Sequence, residues 1–290
     1  MKNYIFIILA AALFGTIGIF IKLIGDSVHP MVINFYRAFF GFVTLLFLCP
    51  VLDKKTFKVK KKDLKLYIPI GLMIAITISL TNLAFIFAPV QNVAFIISMF
   101  PFFVFIFAYF LLNEKITAVK VIALVIAGVG LFIMNPLRSE GMLGSVLAIL
   151  STAVYGLLVP VMRMVDKTHS IGDVFWFFFF AVFFLLPFPF IYGFGDFSVH
   201  LIFLGVLSTG IAYLFQNLAL EKIEAETSSI ILMIVSTMVA VTLALFILEE
   251  PFNMQILAGG GLLVLSGIYL QTHRKKLNKI EEEVREEEEE

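Results

Sequence analysis

Arg37 is the one charged side chain that falls well inside a long apolar run, about six residues into the stretch 31–51. A centred arginine costs about 2.5–3.5 kcal/mol on membrane-insertion scales. Such a group is retained only where it faces protein, water or a lipid phosphate. Two roles stay open for it: bonding to helix-end carbonyls or lipid phosphate, or attracting an anionic or carboxylate group. Asn82, Gln216 and Asn217 lie in similar runs, and each amide both donates and accepts hydrogen bonds. Gln216 and Asn217 are adjacent, so on a helix they point in different directions. Tyr213 precedes Gln216 by three residues and shares its face. A Tyr213/Gln216 patch is the best candidate for a ligand-facing surface; the alternative is hydrogen bonding between helices. Ser98 and Pro101 in one run, and Ser236 and Thr237 in another, add polar capacity near mid-segment. Pro101 lacks a backbone donor and leaves a carbonyl that something else must satisfy. This is the chemistry of recognition by hydrogen bonds and one positive charge.

The missing groups narrow the reading. Every Asp and Glu falls in a loop, a tail or a segment end. A proton-driven carrier of cations commonly needs an embedded carboxylate, so carboxylate-based proton coupling and strongly cationic ligands are disfavoured. His29, His169, His200 and His273 lie far apart, and none has a metal-ligand spacing. No metal and no cofactor is expected. A membrane enzyme should carry a clustered catalytic set near the interface, and none stands out. Cys49 is the single cysteine and cannot form an internal disulfide. The formal net charge is zero, which gives no support for a nucleic-acid partner.

These residues need elements that can hold them in an apolar solvent. Hydrophobic types make up 61% of the 290 residues and charged types only 14%. An ordinary soluble domain has about 45–50% and 25%. A water-soluble fold could not hide so much apolar surface, so the lipid bilayer is the expected solvent. Ten runs near the length of a spanning helix follow one another, at 3–24, 31–51, 66–87, 92–112, 119–135, 143–162, 173–192, 199–219, 227–248 and 254–271. The first is too long for a signal peptide and lacks a clear small-residue cleavage site. With the N-terminus inside, the inner loops and tail receive every Lys and Arg except Lys22 and Arg37, which lie within runs, and Arg138. That is the positive-inside pattern for a cell-membrane protein with both termini cytoplasmic. Lys22 reads as a snorkelling anchor. The tail over 272–290 is too charged to bury and reads as solvated.

The chain also matches itself. One constant offset places Ile76 on Ile211, Asn82 on Asn217, Leu83 on Leu218, Ala84 on Ala219, Ile96 on Ile231 and Glu114 on Glu249. A slightly larger offset places Ala11 on Thr152, Phe14 on Tyr155, Gly15 on Gly156 and Lys22 on Arg163. Each copy holds five runs, and five is odd, so the second copy must enter the membrane from the opposite face. The expected fold class is therefore all-α integral membrane, with ten transmembrane helices as two inverted five-helix repeats. Gly144, Ala148, Thr152 and Gly156 recur every fourth residue, and Ala11 and Gly15 repeat part of that stripe. The stripe is either a sliding face between moving bundles or tight static packing.

Several stretches resemble the drug/metabolite transporter superfamily, and specifically its EamA family. They are Asn34-Phe35-Tyr36-Arg37-Ala38, Asn82-Leu83-Ala84, and Pro101 followed by Leu111-Leu112-Asn113-Glu114. Ala212-Tyr213-Leu214 with Asn217-Leu218-Ala219-Leu220-Glu221-Lys222 is similar to the family's eighth-span signature. Leu248-Glu249-Glu250-Pro251 and Ser266-Gly267-Ile268 resemble the close of its second repeat. The resemblance implies an EamA-like repeat over 3–135, a second over 143–271 and a charged cytoplasmic tail over 272–290. It also implies a central cavity between the halves, with export or sometimes import of small metabolites. Ser236 stands where the second repeat usually carries a proline, which leaves the kink of the ninth span open.

Together these readings predict a multi-pass transporter. It moves a small amino-acid-like metabolite, neutral, zwitterionic or anionic, by alternating access, as export or exchange. A nucleotide-sugar or drug carrier of the same superfamily is the alternative, and a structural or signalling membrane protein is a remote one. Candidate substrate-binding residues are Tyr213, Gln216, Asn82, Asn217, Arg37, Ser98 and Ser236. Candidate kink or gating residues are Pro101, Gly15 and Gly156. Partners are a small-molecule substrate and the bilayer, and two fused halves can work as a monomer.

Overall fold

A computed structural model describes residues 2–52, 54, 57, 61–112, 118–134, 141–164, 171–220, 225–251, 254–262, 264–269 and 272–273. Glu114, Arg138, His169, Glu221, Lys222 and the tail beyond His273 lie outside the described residues. The described backbone is helical, with no strand among the described residues. Apolar solvent dictates this, because each N–H and C=O must then find its partner within the segment.

Six helices are long and apolar enough to cross a membrane: α1 (Tyr4–Ser27), α2 (Pro30–Leu52), α3 (Leu64–Phe87), α4 (Val90–Leu111), α7 (Gly172–Tyr192) and α8 (Val199–Ala219). Four shorter apolar helices complete the chain order: α5 (Val121–Gly130), α6 (Met142–Leu158), α9 (Ile231–Ile247) and α10 (Met254–Tyr269). The surface is greasy: Phe132 is 85% exposed and Phe246 is 81% exposed. Such side chains are at home only against lipid.

The breaks inside helices have local causes. In α4 the regular ladder stops at Ser98 and Met99. Pro101 supplies no N–H for the carbonyl of Ile97, and its ring crowds that carbonyl. In α9 the proline is replaced by Ser236, and its helix runs unbroken. The Ser236 hydroxyl instead donates to the Leu232 carbonyl at 2.5 Å. In α1 the helix interrupts at Thr16, whose hydroxyl donates to the Leu13 carbonyl at 2.7 Å. In α8 the stretch Val206–Ile211 is a π-helix, a wider turn that shifts the side-chain register by one residue.

The dominant packing joins early helices to late ones. α3 lies against α6 and α7, and α2 against α7 and α8. α1 lies against α8 and α9, and α4 against α6 and α9. α10 seats its glycines on both sides: a Cβ on Gly260 would meet the Phe95 ring, and one on Gly267 would meet Met233. Close approach depends on small residues. A Cβ on Gly15 would sit 2.7 Å from the Ser236 carbonyl oxygen of α9. One on Gly156 would sit 2.3 Å from the Phe103 Cβ of α4. These two glycines serve the seams of α1 on α9 and of α6 on α4.

Gly156→Val should therefore cost about 1–3 kcal/mol of stability, read as a lower melting temperature in detergent. Gly128→Ala meets nothing within 4 Å and should leave melting unchanged. Equal melting of the two variants would contradict the packing described.

Candidate functional site

Seven helices enclose one cavity. α1 gives Phe14, Gly15 and Ile17, and α2 gives Arg37. α3 gives Thr77, Ile78, Thr81 and Phe85, and α4 gives Ala94, Ile97, Ser98 and Phe100. α6 adds Ser151, Thr152 and Tyr155, and α8 adds Tyr213 and Gln216. α9 closes the ring with Leu232, Met233, Ser236, Thr237 and Ala240. The cavity volume is about 140 Å3. The walls are mostly apolar, with polar atoms at a few places, the usual make-up of a small-molecule site.

Arg37 is only 4% exposed, so it does not snorkel to lipid. Its Nη1 donates to Asn82 Oδ1 at 2.6 Å, and its Nε donates to Thr209 Oγ1 at 3.1 Å. Asn82 Nδ2 in turn donates to Asn34 Oδ1 at 2.6 Å. Asn34 and Arg37 are three apart on α2 and share a face. Thr209 can accept from Arg37 because its own hydrogen goes to the Leu204 carbonyl at 2.9 Å. That bond spans five residues, the step of the π-turn in α8. Asn34, Asn82 and Thr209 are all fully buried. The guanidinium is thus fixed by neutral oxygens from α3 and α8, and no carboxylate among the described residues pairs with it.

Hydroxyls line the rest of the polar surface. Ser151 donates to the Thr77 carbonyl at 3.2 Å, which leaves Thr81 to donate to Ser151 at 2.6 Å. Ser98 donates to the Phe95 carbonyl at 2.6 Å. Thr77 Oγ1 is buried without a partner. Thr16 and Ser208 join α1 to α8 at 2.7 Å, with Ser208 the donor because Thr16 spends its hydrogen on Leu13. Tyr213 is wedged edge-on between Phe14 and Phe178, with ring centroids 5.1 Å away in each case. Tyr155 stands edge-on to Phe100 at 5.6 Å.

Outside the cavity lining, a carboxylate caps the start of α4. Glu250 Oε1 accepts from the Val90 backbone N–H at 2.6 Å, and Oε2 accepts from Gln91 at 3.2 Å. The carboxylate caps the open N–H groups at the start of α4, where the helix dipole favours negative charge. Lys22 Nζ donates to the Ile86 carbonyl at 3.2 Å nearby, so it is anchored on protein. Gly144 of α6 packs beside them, where a Cβ would lie 2.5 Å from the Ala88 Cβ. Among the described residues no group of three His, Cys, Asp or Glu could hold a metal ion.

The structure brings Arg37, Ser98, Tyr213, Gln216, Ser236 and Gly15 to the cavity wall. Asn82 and Asn217 are not on that wall. Asn82 reaches it through Arg37, and Asn217 is half-buried on another face of α8. Pro101 is buried at the break in α4, and Gly156 is packed on Phe103. Thr77, Thr81, Ser151, Thr152 and Tyr155 also line the cavity, and Thr209 bonds Arg37, though none of them is among the candidates that type and spacing single out. The run Ser208-Thr209-Gly210 in an otherwise apolar segment was the available signal for the α8 contact.

The fold defines a multi-pass helical membrane protein with an internal cavity. The EamA-like transporter family model matches residues 1–135 and 142–272. The chain belongs to that family. An "Uncharacterized transporter" of Archaeoglobus fulgidus is 26% identical over 288 residues, covering 95% of this chain and all of that one. One of Clostridium kluyveri is 25% identical, covering 96% and 95%. "Uncharacterized transporter YoaV" of Bacillus subtilis is 25% identical, covering 94% and 97%. A crystal structure of a protein at 13% identity superposes with a TM-score of 0.68 over 95% of this chain and 98% of that chain, so the fold is shared.

The Arg37 network makes a double-mutant prediction. Asn82→Leu should strip an acceptor from a buried charge and cost about 3 kcal/mol. Adding Arg37→Met should restore more than half of the lost stability, because both members of the pair are then apolar. Melting curves of the two single variants and the double variant check this; simple additivity would contradict it.

Proposed function

We propose that the cavity is the substrate site of an alternating-access transporter. It moves a small amino-acid-like metabolite, neutral, zwitterionic or anionic, across the cytoplasmic membrane by export or exchange. The observation that carries this reading is convergence. In an otherwise apolar bundle, polar side chains from helices of both halves meet around one buried arginine. Burying those groups costs free energy, and a purely structural bundle would have no need of them. The cavity volume of about 140 Å3 is near that of an engineered cavity, about 150 Å3, that admits benzene. That size favours a compact metabolite over a nucleotide sugar.

In this reading the chain has ten spans as two inverted repeats, 3–135 and 143–271, with both termini cytoplasmic and the charged tail over 272–290 inside. The helix pairing supports it. Exchanging α1–α4 for α6–α9 turns the α3/α6 contact into α8/α1, the α4/α6 contact into α9/α1, and the α2/α8 contact into α7/α3, all of which are observed packings. The two stretches matched by the family model coincide with the two halves. The distribution of Lys and Arg supports the orientation. The Glu250 cap on α4 then lies toward the outer face. Gly15, Gly156 and Pro101 serve as the contact and break points that let the halves rock. One chain supplies both orientations, so a monomer suffices.

Tyr213 and Gln216 face the substrate together with Arg37, Ser98 and Ser236, while Asn82 and Asn217 act from behind. Metabolite profiling of cells with and without the protein should reveal one changed small metabolite, and that compound should cross reconstituted vesicles. Gln216→Ala should cut its flux about tenfold, the loss expected for one hydrogen bond or two. Trp176→Phe, in the aromatic cluster with Phe175 and Phe179, should leave flux near the original value. Equal effects would remove the site assignment.

A further inference from the structure

The polar geometry of the cavity specifies its ligand more closely. We infer that Arg37 is a subsite for a single carboxylate, so that the transported molecule carries one such group. This rests on reading the cavity as the substrate site. A guanidinium has five N–H donors in a planar fork. Here Nε is used by Thr209 and one Nη1 hydrogen by Asn82. The other Nη1 hydrogen and both on Nη2 find no acceptor among the described residues. The two hydrogens on Nη2 lie on different edges of the fork, one beside Nη1 and one beside Nε, and free N–H groups of this kind donate to the oxygens of a carboxylate. Arg37 lines the cavity, so a bound molecule can approach its guanidinium.

The bonded atoms serve to aim the fork. Asn34 fixes the amide of Asn82, which presents its oxygen to Nη1. Leu204 fixes the hydroxyl of Thr209, which presents its lone pair to Nε. Both contacts are neutral, and no counter-ion for the positive charge stands among the described residues. A bound carboxylate would supply one. Among the described residues no Asp or Glu lines the cavity, and Arg37 is the cationic side chain on its wall. A dianion would therefore leave one charge unmatched in an apolar site, and a ligand whose one charged group is an amine would meet a like charge with no carboxylate to offset it. Thr77 Oγ1, buried and unpartnered on the same wall, offers a further donor.

Purified protein in detergent is titrated with the twenty standard amino acids and a set of straight-chain and aromatic monocarboxylates. Each acid is paired with its carboxamide and with the amine of the same skeleton, and the melting temperature is the readout. At least one acid should raise the melting temperature, and its amide and amine should bind at least roughly tenfold more weakly. Arg37→Gln should erase the difference between acid and amide. Because the acid–amide comparison is made on the unaltered protein, it decides the question even if that variant does not fold. Amides that bind as well as acids, or the absence of any acid that binds, would overturn the inference. Vesicle flux separates the two readings. Transport of an amide as fast as its acid removes the carboxylate subsite and keeps the transporter. An acid that binds selectively and never crosses keeps the subsite and removes the transporter.

Discussion

A buried guanidinium held by neutral oxygens, with no counter-charge among the described residues, is the constraint on which the rest of this bundle depends. Taking such a charge out of water costs several kcal/mol. Two hydrogen bonds to neutral oxygens return about 1.5–3 kcal/mol each, which offsets the cost without a surplus. Arg37 is thus no stabilising element in itself. Its partners are what make it tolerable, and they sit on different helices. Asn82 belongs to α3 and Thr209 to α8, so one side chain of α2 ties the early half of the chain to the late half. Both contacts need unusual local structure. The Asn34–Asn82 pair needs α2 and α3 in close register, and Thr209 needs the π-turn of α8.

The helices around this tie interleave. Few of the large contacts stay within a half; most run from one of α1–α4 to one of α6–α9. Lipid provides no hydrophobic drive for such contacts, so they rest on close van der Waals fit and on polar pairs. Gly15 against α9 and Gly156 against α4 supply the fit. Thr16–Ser208 and Thr81–Ser151 supply the polar pairs. The cavity is the space left where these seams cross, which is why its lining draws on seven helices. Glu250 caps the exposed N–H groups at the start of α4 and so joins the loop after α9 to α4 without a side-chain partner.

Much of this was legible from the residues. Apolar runs of spanning length predict helices in lipid for a simple reason: backbone groups have nowhere else to bond. Six of the ten expected runs are helices long and apolar enough to cross a membrane, and the other four are shorter apolar helices. Tyr213 and Gln216, three apart, share the cavity wall, and the adjacent Asn217, also a candidate, lies off it. Position along a helix could not tell whether Arg37 reaches lipid or protein, because that depends on which neighbour stands opposite. The contact with Thr209 was illegible for a sharper reason. A regular α-helix would aim that hydroxyl about one residue out of phase, and the π-turn that corrects it leaves only a Ser-Thr-Gly trace in sequence. Asn82 is a substrate-binding candidate with hydrogen bonding between helices as its alternative, and its side chain bonds to Arg37 and Asn34. An amide with four hydrogen-bonding sites serves either role equally well until its neighbours are known.

Cys49 is the single cysteine and is buried, so a Cys49→Ala background allows one reporter thiol at Ser98 on the cavity wall. The most direct measurement is the modification rate of that thiol by an anionic and a cationic methanethiosulfonate of similar size, added from each side of the membrane. The account predicts reaction from both sides, with the anionic reagent the faster. A thiol that reacts from neither side, or that prefers the cationic reagent, would contradict a cavity that opens in turn to each face around an unpaired arginine.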